Sequence, residues 1–271
     1  MTDVAPELLK KINNSFDSKI ADDKEITEFT KKLSSGKATQ FDTIMYNRRL
    51  AGHASTALSE NIVPEALPDG KLYYNIANRT VTPTIKRVDS LSIDAMAEVT
   101  KEEYEKLKIG ISPQSVEVDE ERINSYINKL VEVQNAGDME KFSELLNGPL
   151  QNICESIIDD YIDAQAKFVE EAGMKAQIIR YPLGKCCKWC DNLAGTYDYK
   201  DAPKDIYRRH DNCDCVVMYR AEKVFQDVWT KKKYENEKEL RIAREKKLIA
   251  DAEKSNNERA ARLREMFKDD L

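Results

Sequence analysis

The chain has 271 residues, of which 41% are hydrophobic and 34% charged, enough to bury a core in one large or two small domains and too apolar for a disordered tail. Its 49 acidic residues against 43 basic ones leave a net charge of −6, which excludes the global basic field of many nucleic-acid binders, so any DNA contact has to be local. No apolar run approaches the roughly 20 residues of a bilayer span, and Met1-Thr-Asp-Val-Ala-Pro-Glu7 lacks the basic and apolar regions of a signal peptide, so no membrane partner and synthesis in a cytoplasm are expected.

In residues 6–36 the apolar positions fall at helical spacing, with Leu8, Ile12 and Phe16 on one face and Ile26, Phe29 and Leu33 on a second short helix. A third helix is predicted over 38–61, carrying Phe41, Met45 and Leu58, with His53 as a structural residue on it. Pro64, Pro68 and the Asp69-Gly70 pair make 63–70 a loop or subdomain joint, beyond which the helical pattern resumes. Segments around 88–107 and 119–135 read as helices divided by Gly110 and Pro113, with Asp119 as N-cap. Leu150, Ile153, Ile157, Tyr161, Ala164 and Phe168 then recur at alternating spacings of three and four. That is one long helix with an ordinary core-packing stripe, Cys154 beside it, and Gly173 as its stop.

The pattern changes at 177–181 and again at 216–219, two β-branched runs that read as strands. Between them, 193–199 looks like a hairpin turn built on Gly195. After Arg220 the chain is densely charged, and 235–267 has the Glu/Lys/Arg/Ala content of a long solvated helix without a clean heptad. It reads as a protruding helix or a segment that orders on a partner. The expected fold is mainly α: N-terminal bundle-like helices (1–62), a helical core region (71–175), a small α+β Cys/His zinc-binding element (176–220) and a charged C-terminal helix or tail (221–271).

Five of the six cysteines stand between the two predicted strands. In a reducing compartment such a cluster favours metal binding over disulfides. Cys187 and Cys190 have C-x-x-C spacing, and His210, Cys213 and Cys215 form an H-x-x-C-x-C knuckle. Tetrahedral zinc takes four N or S ligands from two such knuckles. Cys186 cannot easily share an ion with its neighbour Cys187 and is the spare; Cys187, Cys190 and His210 are the preferred ligands, with Cys213 or Cys215 completing the set, a choice that spacing leaves open. A disulfide pair or a Cys/His catalytic pair fits paired knuckles less well. The zinc deaminase pattern, H-x-E followed by P-C-x-x-C, is absent, since His53 and His210 are followed by Ala-Ser and Asp-Asn. Surplus ligands leave no open position for catalysis, so a structural Zn²⁺ is expected, able to contribute on the order of 10 kcal/mol to folding a small element. Trp189, Tyr197, Tyr199 and Tyr207 are expected to pack around the site. Lys185, Lys188, Arg208 and Arg209 flank it as solvated charges, with phosphate contact as the alternative.

The string C-x-W-C-x-x-L-A-G-x-Y from Cys187 to Tyr197, followed by an aromatic and R-H-x-N-C-x-C-x-V-x-Y from Tyr207 to Tyr219, resembles the carboxy-terminal signature of the minor head (minor capsid) proteins of tailed bacteriophages, the Mu F-like and SPP1-type head morphogenesis family. Asp227-Val-Trp229-Thr-Lys-Lys-Lys233 resembles the segment that shorter members carry next. The resemblance covers 150–233 well and the rest of the chain weakly. It implies a virion component present in few copies, made in the host cytoplasm and located in the capsid interior. Its implied partners are portal and capsid proteins, with packaged double-stranded DNA as a further one. It implies no enzyme activity and no small-molecule substrate. Some relatives end in toxin or ADP-ribosyltransferase modules, but Glu235-Asn-Glu237 lacks the strand context of such a site. Two rivals remain: a metal-dependent nuclease or toxin acting on nucleic acid, and a zinc-stapled DNA-binding module.

Overall fold

The structure, a computed structural model, describes residues 3–108, 110–184, 187–210 and 213–222. The expected charged helix beyond 222, and Lys185 and Cys186, lie outside the described residues. The fold is mainly helical with one small antiparallel sheet. Among the described residues no helix is long and apolar enough to cross a membrane.

Helices α1 (Ala5–Asp22), α2 (Lys24–Ser34) and α3 (Gln40–Asn61) follow the predicted stripes: Leu8, Ile12, Phe16, Ile26 and Phe29 are all buried. Asp23 starts α2 by accepting bonds from Glu25 and Ile26, and Thr39 and Asp42 form a reciprocal capping box at α3. After two single-turn 3₁₀ segments at the proline-rich joint, α4 runs from Tyr74 to Lys106, about 50 Å at 1.5 Å per residue.

The expected segment at 88–107 is therefore only the second half of α4. Pro83 and the β-branched Thr80, Val81, Thr82 and Thr84 weaken the local helical signal. Burial outweighs propensity there: Val81 and Ile85 are fully buried, and the Thr80 and Thr84 hydroxyls bond back to the carbonyls of Ile76 and Thr80, each at 2.8 Å.

Asp119 caps α5 (Glu120–Asn135) through a 2.9 Å bond from the Arg122 amide. A short helix that the sequence reading lacks, α6 (Met139–Leu146), follows Gly137 at φ 78° and is capped by Asp138. Its buried Phe142 and Leu146, four apart, were the signal for it. Helix α7 (Gly148–Glu171) ends in a Schellman motif, Met174 N–H to Val169 C=O and Gly173 N–H to Glu170 C=O, with Gly173 at φ 77°. The predicted stripe is one edge of a wider buried face that also takes in Cys154, Ile158, Ile162, Ala166 and Val169.

One hydrophobic core lies among α1, α3, α4, α5, α6 and the start of α7. A second joins the rest of α7 and parts of α3 and α4 to the sheet. The sheet holds β1 (Lys175–Pro182) between β2 (Gly195–Asp198) and β3 (Cys215–Glu222), and α8 (Lys188–Leu193) lies between β1 and β2 in the chain. The expected hairpin turn at 193–199 is thus the end of a helix and a third strand. Tyr197 and Thr196 of β2 pair with Ile178 and Ile179 of β1. Gly195 is required where it stands: its φ is 153°, and a Cβ there would approach the Tyr197 hydroxyl to 3.2 Å. On the far edge of β3, the Gln40 side-chain amide bonds both the N–H and the C=O of Tyr219, at 3.1 and 3.0 Å, doing the work of a neighbouring strand.

Candidate metal centre

The loops at one end of the sheet gather the cysteines. Pro182 of β1 pairs with Cys215 of β3, so the chain leaving β1 and the chain entering β3 meet at this end. Cys187 is the N-cap of α8, its sulfur accepting from the Cys190 amide, and one turn of helix carries Cys190 inward. A turn closed by Cys213 N–H to His210 C=O, 3.1 Å, sets the second knuckle.

All five predicted ligands come together. Cys187, Cys190 and His210 form one triplet whose ligand atoms lie within 4.8 Å of one another, and Cys190, Cys213 and Cys215 form another. Cys190 belongs to both. These groups could hold a metal ion. Bond lengths of about 2.3 Å to sulfur and 2.0 Å to nitrogen on a tetrahedron imply S···S near 3.8 Å and S···N near 3.5 Å. The observed Cys190 Sγ to Cys213 Sγ is 3.9 Å, Cys187 Sγ to His210 Nε2 is 3.5 Å and Cys190 Sγ to His210 Nε2 is 3.0 Å. The five described cysteines are free thiols, and 3.9 Å is far beyond the roughly 2.05 Å of a disulfide.

The centre has two sides. Cys190, Cys213 and Cys215 are buried, whereas Cys187 and His210 face outward beside the partly exposed Trp189. The thiols differ accordingly. The bond from the Cys190 amide lowers the pKa of Cys187, and burial raises that of Cys190. The Cys215 side chain, with Arg209 and Arg180, lowers Cys213, while Cys213 and burial raise Cys215 against the opposing effect of Arg180.

A set of buried ions, invisible in the spacing of the cysteines, docks the second knuckle on α7. Arg209 grips Asp159 with two bonds, 2.6 and 2.8 Å, pairs with Glu155, and donates to the Cys215 carbonyl at 2.8 Å. Arg48 of α3 lies 2.6 Å from both Glu155 and Asp214 and donates to the same carbonyl at 3.0 Å. Asn152, one turn earlier on α7, donates to the His210 carbonyl at 2.9 Å. The expectation that Arg209 is a solvated charge or a phosphate contact is corrected: its side chain is 7% exposed. Burial alone would lower its pKa, but Asp159 and Glu155 outweigh that and raise it. Arg208 is exposed and pairs with Asp205. A Cβ on Gly184 would meet the Asp214 carboxylate at 2.7 Å, so a larger residue there would displace that side chain.

Of the four aromatics, only Trp189 stands at the cluster, its ring 6.0 Å from that of His210. Tyr197, Tyr199 and Tyr207 pack against the core between sheet and α7 instead. His53 is far from the thiols in its bonding: its Nε2 meets Asp23 at 2.7 Å. Burial would raise Asp23, but Arg49 and His53 hold it down at about 2. The residues missed by the sequence reading are Arg180, Arg48, Glu155 and Asp159. For three of them the signal was charge inside apolar runs: Glu155 and Asp159, four apart, sit next to the α7 stripe, and Arg180 interrupts a strand of aliphatic residues, whereas Arg48 stands between Asn47 and Arg49 with no such signal.

Comparison with models of known protein families, with curated proteins and with solved structures finds no match for this chain.

Proposed function

We propose that the protein is a minor capsid protein of a tailed phage, acting in head morphogenesis through portal and capsid proteins and packaged DNA, and that its Cys/His centre is a structural zinc staple. The observation that carries this reading is that the signature string has a structural task at nearly every fixed position. Cys187, Cys190, His210, Cys213 and Cys215 supply the ligands. Leu193, Val217 and Tyr219 are buried, Gly195 makes room for Tyr197, and Arg209 docks the knuckle on α7. Five donors for four tetrahedral positions favour a closed site over a catalytic one, which keeps a position for water. Burial of Arg209 counts against the DNA-binding module, since it removes one of the two cations of its Arg208-Arg209 pair from the surface.

Peptide mass spectrometry of purified virions, with elemental analysis of the isolated chain, tests this. The expected result is the chain in the particles at low copy number, with one zinc per chain. Its absence from particles while it is found free in the host removes the head-protein reading. Metal-dependent nucleic-acid cleavage that is lost on His210→Ala with the fold intact replaces it with the nuclease.

A further inference from the structure

Arg180 is the largest fully buried side chain, at 1% exposure, and it projects from the central strand. Among the described residues no carboxylate hydrogen-bonds it. One terminal nitrogen donates to the Ile206 carbonyl, and the other lies 3.9 Å from Cys190 Sγ and 3.7 Å from Cys213 Sγ. Its Nε has no partner. The Trp189 ring lies 5.4 Å from the guanidinium carbon, where its π face supports a cation and shields it from water. A buried guanidinium without a hydrogen-bonded counter-charge is strongly disfavoured. The neighbouring ion pairs show the contrast, since Arg48 and Arg209 each face carboxylates.

We infer that Arg180 is the internal counter-ion of the metal–thiolate centre and that it marks Cys190 and Cys213 as thiolate ligands, leaving Cys215 as the surplus thiol of the second knuckle. This rests on the zinc reading above and deepens it. The charges balance: Zn²⁺ with the thiolates of Cys187, Cys190 and Cys213 and a neutral His210 carries −1, and Arg180 carries +1. Binding turns the thiol set into a centre of net charge −1 and releases the protons that Cys187, Cys190 and Cys213 still carry. The guanidinium stabilises that product, whereas in the metal-free chain the carboxylate its charge acts on, Asp159, has both oxygens bonded by Arg209 instead. Both effects act in the same direction, toward tighter zinc. Groups that bond to metal ligands from outside the coordination shell typically change affinity by about 10–100-fold.

The test uses the full-length chain with zinc, and with Co²⁺ as a spectroscopic substitute, for wild type, Arg180→Met, Arg180→Lys, Cys213→Ser and Cys215→Ser. In Arg180→Met, zinc affinity against a chromophoric chelator is expected to fall about 10–100-fold, and the rise in Tm on adding zinc to shrink. A guanidinium with a packing role only would lower both Tm values and leave the zinc-dependent rise unchanged, and that result overturns the inference. The thiolate-to-cobalt charge-transfer band is expected to move to lower energy in both Arg180 variants, because sulfurs relieved of N–H bonds donate more readily. If Arg180→Met does not fold, Arg180→Lys decides, since it keeps the charge but not the fork that spans two sulfurs; wild-type affinity and band position there overturn the inference. Cys213→Ser is expected to lose a thiolate from the cobalt spectrum and Cys215→Ser to keep all three, and the reverse pattern also overturns it. Wild-type chain without metal sinks the zinc reading itself, whereas metal-loaded wild type with unaltered Arg180 variants sinks this inference alone.

Discussion

The helical core and the cysteine end of the sheet, both of which touch α7, are packed by different chemistry. Around the start of α7, Leu150 and Cys154 join an aliphatic core of Leu8, Ile12, Leu50, Leu58, Ile85, Ile127 and Leu130, nearly all without solvent exposure. On the sheet side the buried groups include Arg180, Glu155, Asp159, Arg209 and three thiols. Helices with wide apolar stripes can cover one another and need little else. The sheet and α7 share an apolar core of their own, including Ile157, Ile162, Ile178, Val216 and Val217, but at the cysteine end of the sheet buried ions and thiols take its place. Directed contacts, ions and ligand atoms hold that region where burial alone does not.

Removing the centre is the sharpest way to break this contrast. Cys190→Ser, which takes the ligand common to both triplets, is expected to abolish stoichiometric zinc binding and to loosen the sheet end while α1 to α6 stay folded. Zinc contributes on the order of 10 kcal/mol to small structural sites, so hydrogen exchange should reach global rates in β1 to β3 and stay slow in α4 and α5. Uniform loss of protection would show that the two regions unfold as one.

Next in size is Arg209→Ala, which strands the buried Asp159 and leaves Glu155 with Arg48 alone. It is expected to cost about 3–5 kcal/mol by denaturant unfolding, with zinc binding weakened because the knuckle loses its anchor. In the aliphatic core, Ile127→Ala should cost a comparable or smaller amount, about 2–5 kcal/mol, with zinc affinity unchanged. Equal effects of the two variants on zinc would erase the distinction.

Asp89 is an exception inside the helical region. Burial pushes its carboxyl up to about 8, Arg122 offsetting only part of this, and one of its oxygens has no partner. The folded chain therefore holds a proton that the unfolded chain releases near pH 4. Stability from this group is full below that pH, falls as pH rises through about 8, and is level above it, with a slope of at most about 1.4 kcal/mol per pH unit. Glu103, raised by burial to about 7, acts in the same direction. Asp89→Asn is expected to flatten the profile and to stabilise the protein at pH 8; thermal melts from pH 4 to 9 measure both. The smallest expected effect is Asp119→Ala, about 1 kcal/mol from a lost cap on α5, readable as a lowered Tm with the same zinc content.

The stripes of α1, α2, α3 and α7, the Asp119 cap and the Gly173 stop were legible in the sequence because each depends on residues within one or two turns of the chain. So were the five metal-ligand candidates, since knuckle spacing is local. The first half of α4 was hidden because Pro83 and the threonines argue against a helix that only packing sustains. Strand β2 was hidden because four residues carry almost no periodic signal until β1 lies beside them. The docking of Arg209 on α7, the reach of Arg48 from α3 to the Cys215 carbonyl, and the approach of Arg180 to two sulfurs belong to the tertiary structure alone. These contacts join residues far apart in the chain, and a buried charge acquires its meaning from the partner that the fold brings to it.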